Sequence, residues 1–158
     1  MVPKLRCTFA YTSFLISLCV SATGWDDYAP SSIAKAVAAA SWQAPCDTCF
    51  TPGLPYRVAV EYRGAIRVIS PERQRFIGTW LKSIGASADA AAMFQQEIAV
   101  RESGREYWLP IQDKLLSALR HEAKSGQAVK FFVVLAGAIS WKKPGEDIVF
   151  LVNEFDSR

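Results

Sequence analysis

The sequence predicts an α+β fold, a mainly antiparallel curved sheet of about five to six strands carrying two to three packed helices. Three observations lead there. Residues 94–102 and 105–109 flank Ser103-Gly104, a two-residue hairpin loop. In the register that loop sets, Glu102 faces Arg105, Arg101 faces Glu106, Val100 faces Tyr107, Ala99 faces Trp108 and Ile98 faces Leu109. Opposite charges meet, and the apolar pairs share one face. Two further stretches, residues 70–84 and 112–124, carry apolar side chains at helical spacing. Residues 127–137 and 147–155 are apolar enough to require cover on both faces, which places them inside the sheet.

The chain has 158 residues, with 18 Lys and Arg against 15 Asp and Glu, and four cysteines. Lys4 and Arg6 precede an apolar run over residues 8–20, and Val20-Ser21-Ala22 offers small residues to a signal peptidase. Residues 1–22 are therefore expected to be a cleaved secretory signal, and the mature protein to be periplasmic or secreted. The run is shorter than the roughly 20 residues a spanning helix needs, so no membrane span is expected after cleavage. Leu18 stands where a lipoprotein signal places a small residue before its cysteine. Removing Lys4 and Arg6 takes the 18 basic residues to 16 against 15 acidic, a net charge of +1. That balance gives no strong nucleic-acid signal. Arg63, Arg67, Arg73 and Arg75 read as a solvated surface. About 136 residues remain, enough to bury an ordinary core without a metal or disulfide. The expected organisation is a signal peptide over 1–22, a short helix and Pro-rich Cys-x-x-Cys loop over 23–55, and one α+β domain over 56–158.

Taken in order, residues 25–32 (WDDYAPSS) are polar and Pro-interrupted, a loosely held start. Ser31 or Ser32 caps a helix over residues 33–42, whose inner side is Ile33, Ala36, Val37 and Ala40. Residues 44–55 hold three prolines and a glycine and read as a loop. Tyr56, Val58, Val60 and Tyr62 then alternate with polar or small residues, the period of a half-exposed strand. Gly64 interrupts before Ile66, Val68 and Ile69, so residues 56–69 are either a hairpin or one strand bent at a bulge.

Ser70-Pro71-Glu72 starts a helix with a capping hydroxyl, a first-position proline and an acid in the first turn. Phe76, Ile77, Trp80, Leu81 and Ile84 form its stripe, with Phe76 and Trp80 expected in the core. Residues 86–93 are a loop or one more helical turn. Pro110 is expected to end the second hairpin strand, having no donor for a ladder. Leu115, Leu116, Leu119 and Ala123 face the core from the next helix, which Ser125-Gly126 closes. Lys142-Lys143-Pro144-Gly145 turns the last strand pair.

From residue 56 onward, the sequence of a bent strand, a hairpin, a helix and a final strand pair resembles the OB-fold, which also places its helix between the third and fourth strands. Gly64 suits the bend of the first strand. The helix beginning at Pro71 departs from that pattern, because it stands where the fold has only a loop. Residues 107–122 (YWLPIQDKLLSALRHE) and 150–155 (FLVNEF) also resemble small exported bacterial proteins of uncharacterised function. The OB-like resemblance implies binding of oligonucleotides, oligosaccharides or proteins and does not choose among them.

No catalytic residue, metal site or cofactor is assigned from the sequence. Cys46 and Cys49 survive signal cleavage, but Phe50-Thr51-Pro52-Gly53 follows them where a thioredoxin-type site needs a helix start. A local disulfide is the expected state in an oxidising compartment. His121 is the single histidine and is expected on the solvent side of its helix. Glu102 and Glu106 are expected to be occupied by Arg105 and Arg101. Trp108, beside Arg101 and Glu106, is the candidate binding aromatic, and Trp141 beside Lys142 and Lys143 is a second. The leading expectation is an exported, non-catalytic binding domain of the bacterial envelope with a protein or glycan ligand and no assigned oligomeric state. A thiol-disulfide protein using Cys46 and Cys49, or a structural envelope protein, are the alternatives.

Overall fold

The computed structural model describes residues 24–41, 49–139 and 147–158. Their strands are β1 (Ala29–Ser31), β2 (Cys49–Phe50), β3 (Leu54–Val68), β4 (Gln96–Glu102), β5 (Arg105–Ile111), β6 (Ala128–Ile139) and β7 (Asp147–Asp156). The helices are α1 (Ile33–Ser41), α2 (Pro71–Ser83) and α3 (Asp113–Glu122), with 3-10 turns at Trp25–Asp27 and Ala88–Met93. The sheet runs β1-β3-β4-β5-β7-β6-β2, and β3 also pairs with β6, which closes β3, β4, β5, β7 and β6 into a five-strand barrel. Pairing around the barrel is antiparallel except between β5 and β7, which run parallel where Ile111 meets Val152. The fold is α+β with a curved sheet, and α3 lies between the third and fourth barrel strands.

The strand that closes the barrel does so by bending. β3 pairs Leu54 to Glu61 with β6 and Glu61 to Val68 with β4, and its register with β4 shifts between Tyr62 and Ile66. Gly64 sits at that shift with φ of 76°, and a Cβ there would lie 3.0 Å from Ser125 Cβ. Both the backbone angle and the close approach favour glycine. Residues 56–69 are thus one bent strand and not a hairpin.

The β4–β5 hairpin has the register read from its sequence, from Glu102↔Arg105 through Ile98↔Leu109. Ser103 and Gly104 both take positive φ, 50° and 81°, the turn whose twist matches the flanking strands. Pro110 does not end β5, which continues to Ile111. Counting from a two-residue loop, Glu97↔Pro110 is a pair without mutual hydrogen bonds, and β7 joins β5 only at Ile111. No ladder bond needs the missing proline donor.

Two apolar cores result. The barrel interior holds Val58, Val100, Leu109, Phe131 and Val133, joined by Ile33, Ala36 and Ala40 of α1 and Leu115, Leu116 and Leu119 of α3. Outside the barrel, α2 lays Ile77, Trp80 and Leu81 over the outward Val134 and Ala136 of β6 and Val149 and Leu151 of β7. β6 and β7 are therefore covered on both faces, as their composition requires. Ser70 caps α2 by accepting the Arg73 N–H at 3.2 Å. The Trp80 indole N–H donates to Thr51 O at 3.0 Å, so a fully buried tryptophan leaves no polar atom unpaired there.

The N-terminal region is more ordered than its composition suggests. Instead of a loose start, residues 29–31 form β1, parallel to residues 56–58 of β3. Trp25 and Tyr28 pack on Phe132 at ring-centroid distances of 4.5 and 5.4 Å. Within the expected loop over residues 44–55, Cys49 and Phe50 pair with Ile139 and Ala138, and Leu54 and Pro55 already belong to β3. Backbone pairing to a neighbouring strand decides these short segments, and their own residues carry no periodicity to announce it.

Candidate functional site

The hairpin register sends Val100, Tyr107, Ile98 and Leu109 inward, so Glu97, Ala99 and Arg101 of β4 and Glu106 and Trp108 of β5 face outward. β3 adds Glu61 opposite Arg101 and Arg67 opposite Glu97. Because α2 covers β6 and β7 instead, this part of the outer face carries polar side chains.

Glu97 is its centre. Though outward, it is only 2% exposed, because two arginines close over it. Arg67 Nε donates to Glu97 Oε1 and Arg73 Nη1 to Glu97 Oε2, each at 2.5 Å. Arg73 arrives from the first turn of α2, the helix inserted between β3 and β4. The Arg67 guanidinium also lies over the Trp108 ring, 3.8 Å from its centroid. Ala99, directly opposite Trp108, has only a methyl group and is 1% exposed, which leaves room for the indole across β4. The result is a chain of contacts, Trp108 to Arg67 to Glu97 to Arg73, that fixes two guanidinium planes and one half-buried aromatic relative to the barrel. A cation over an aromatic face adds about 0.5–2 kcal/mol, depending on how much water is excluded.

Arg101 and Glu106 are neighbours in register, as expected, but form no ion pair among the described residues. Glu106 is exposed, and Arg101 Nε is buried without a hydrogen-bond partner. Glu102 also departs from expectation. Its carboxylate reaches the start of α1, accepting the Ile33 N–H at 2.9 Å and the Ala34 N–H at 3.2 Å. Helix N-termini leave such donors unpaired, and an acid there also meets the positive end of the helix dipole. Ser32 Oγ accepts the Lys35 N–H at 3.1 Å, completing the cap. Arg105, the residue opposite Glu102, lies over Tyr107 at 5.3 Å.

Of the other sequence candidates, Cys49 lies half-buried on β2, while Cys46 and Trp141 fall outside the described residues. His121 is exposed on α3, as expected, and donates from Nδ1 to Ser117 O at 2.7 Å. Sequence reasoning missed Glu97, Arg67 and Arg73 as a unit. Their meeting depends on the β3 bulge and on the path of α2, which no local spacing encodes. A second polar group lies near the N-terminal aromatics: Gln112 Nε2 donates to Asn153 Oδ1, and Asn153 Nδ2 to Tyr28 Oη. Gln112 Oε1 has no partner there.

Among the described residues, no three His, Cys, Asp or Glu side chains gather as a metal site, and no helix is long and apolar enough to cross a membrane. Comparison with protein-family models, curated proteins and solved structures finds no match for this chain.

Proposed function

We propose that this protein is an exported, non-catalytic binding module of the bacterial envelope, which holds a protein or glycan partner on the outer face of β4, β5 and the adjoining end of β3. The observation that carries the reading is the Arg67 guanidinium fixed between Trp108 and Glu97. Ordering two long arginines and burying a carboxylate is costly, and buried ionic groups are poor stabilisers compared with apolar packing. Placed on an outer face, the same arrangement supplies a rigid, amphipathic contact surface of the kind that anchors interfaces. The OB-like strand order adds support, since folds of that kind use the face of their second and third strands together with the loop between the first and second. Here those are β4, β5 and the segment containing α2. In an oxidising compartment Cys46 and Cys49 would form a local disulfide, which closes too short a loop to add much stability.

The test is capture from the native envelope fraction by the mature chain, compared with Trp108→Ala at unchanged circular dichroism. Loss of the captured species in the variant is the expected result. Equal capture by both proteins would remove this face from the function, and an indispensable Cys, His or carboxylate other than Glu97 in a folded variant series would point to catalysis instead.

A further inference from the structure

We infer that Arg67 and Arg73 form a phosphate clamp, so that the group taken by this face is a phosphate carried on a sugar or on a lipid headgroup. The inference rests on the binding-face reading above, names the chemistry taken there and extends the partner from a glycan to a lipid headgroup that carries the same phosphate.

A guanidinium has five N–H donors in a fixed fork. Arg67 spends its Nε on Glu97 and Arg73 one Nη, so most donors of both remain uncommitted to that carboxylate. Their side chains are 50% and 34% exposed, which keeps the outward edges within reach of a ligand. Glu97 is the positioning residue. It is sealed from water, so it holds the two forks side by side without itself being presented to solvent. Two cations against one anion leave the triad with a positive charge. The N-terminal end of α2, from which Arg73 projects, adds the positive end of a helix dipole, while exposed Glu72 beside it offsets part of that field.

Geometry favours phosphate over carboxylate. A single arginine already satisfies a planar carboxylate through two parallel hydrogen bonds. These two forks belong to different elements, one lying over the Trp108 ring and the other arriving from α2, and they meet Glu97 through different edges. Such a pair suits a tetrahedral anion, whose oxygens point in several directions and whose charge at neutral pH is about −1.5 to −2.

The experiment titrates the full mature chain with inorganic phosphate, a hexose phosphate and acetate while following the arginine Nε–H resonances. Phosphatidic acid vesicles are compared with phosphatidylcholine vesicles by co-sedimentation. Phosphate should shift Arg67 and Arg73 and acetate should not. Arg73→Lys, which keeps the charge next to Glu97 but loses the fork, should weaken phosphate binding about tenfold, with circular dichroism unchanged. Arg75→Gln, on the exposed side of α2, should leave binding near the wild-type level. Hexose phosphate binding assigns the sugar source, and retention on phosphatidic acid vesicles assigns the headgroup. Binding to neither, equal response to acetate, or equal loss in Arg75→Gln and Arg73→Lys would overturn the clamp. If phosphate fails while envelope capture still depends on Trp108, the clamp falls and the binding face stands. If phosphate binds and Trp108→Ala captures normally, the face falls instead.

Discussion

Trp80 of α2 and Trp108 of β5 both lie against the outer surface of the same barrel, yet the first is fully buried with its indole N–H on Thr51 O, and the second is half-buried beneath Arg67. Their surroundings explain the difference. The outward residues of β6 and β7 under Trp80 are Val134, Ala136, Val149 and Leu151, which must be kept from water, and the inserted helix α2 covers them. The outward residues of β4 and β5 near Trp108 are Glu97, Arg101 and Glu106, which need no apolar cover, and arginine side chains alone close over Glu97. One tryptophan therefore works as packing, and the other is held in place by charges at the rim of an open face. An aromatic ring on a barrel exterior takes its role from the strand face beneath it.

The contrast can be broken most sharply by truncating each ring. Trp80→Ala should destabilise the protein by about 3–5 kcal/mol, read as a lowered urea midpoint, because it empties the outer core and strips the Thr51 carbonyl of its donor. Trp108→Ala should cost about 1–2 kcal/mol at most, while abolishing partner capture. Should the two losses of stability be equal, the division into a sealed and an open face is wrong.

Glu97→Ala comes next. Removing the buried acid leaves two adjacent guanidinia without their counter-charge, and because both are partly solvated the cost should be about 1–3 kcal/mol. Arginine side-chain resonances should also broaden or collapse together as the forks lose their common anchor. A smaller effect belongs to Glu102→Ala, which uncaps α1 and should cost about 0.5–2 kcal/mol. Hydrogen exchange should rise at Ile33 and Ala34 and spare the β4–β5 ladder.

The smallest effect concerns pH. The Arg158 backbone N–H, followed by the Lys130 side chain, holds the Asp156 carboxyl below the usual carboxylate range. A folded pKa below the unfolded one contributes stability that is present above the ordinary aspartate value and lost as pH falls through the folded one. Wild type and Asp156→Asn should therefore differ slightly in midpoint at neutral pH and converge in acid. At the alkaline end the sign reverses. Burial raises the Tyr62 hydroxyl above its ordinary value, against an opposing contribution from Arg120. Its neutral form belongs to the folded state, and stability should decline as pH rises past about 10.

Much of the architecture was legible before the structure. The hairpin register from Ile98 to Leu109, the Ser70 cap of α2, the leucine face of α3 and the covered strands β6 and β7 all follow from spacing over a few residues, where propensity and periodicity act directly. Less of the site was. Trp108 is visible because register places it opposite Ala99, but register alone makes Arg101 and Glu106 its expected partners. Arg67 instead comes from a strand about 40 residues away in sequence, brought into position by the bulge at Gly64. Register makes Arg105 the expected partner of Glu102, yet the α1 N-terminus offers it two directed N–H donors where a cross-strand cation offers one exposed charge.

By itself the sequence determined which of the longer stretches are strands and helices and which side of each is apolar, because those properties depend on neighbours a few bonds away. Tertiary structure alone decided that β3 bends to close the barrel, that α2 seals the outside of β6 and β7, and that Arg67, Arg73 and Trp108 gather about Glu97. Such meetings depend on chain closure and on the competition among distant partners for a few polar groups, and periodicity carries no record of either.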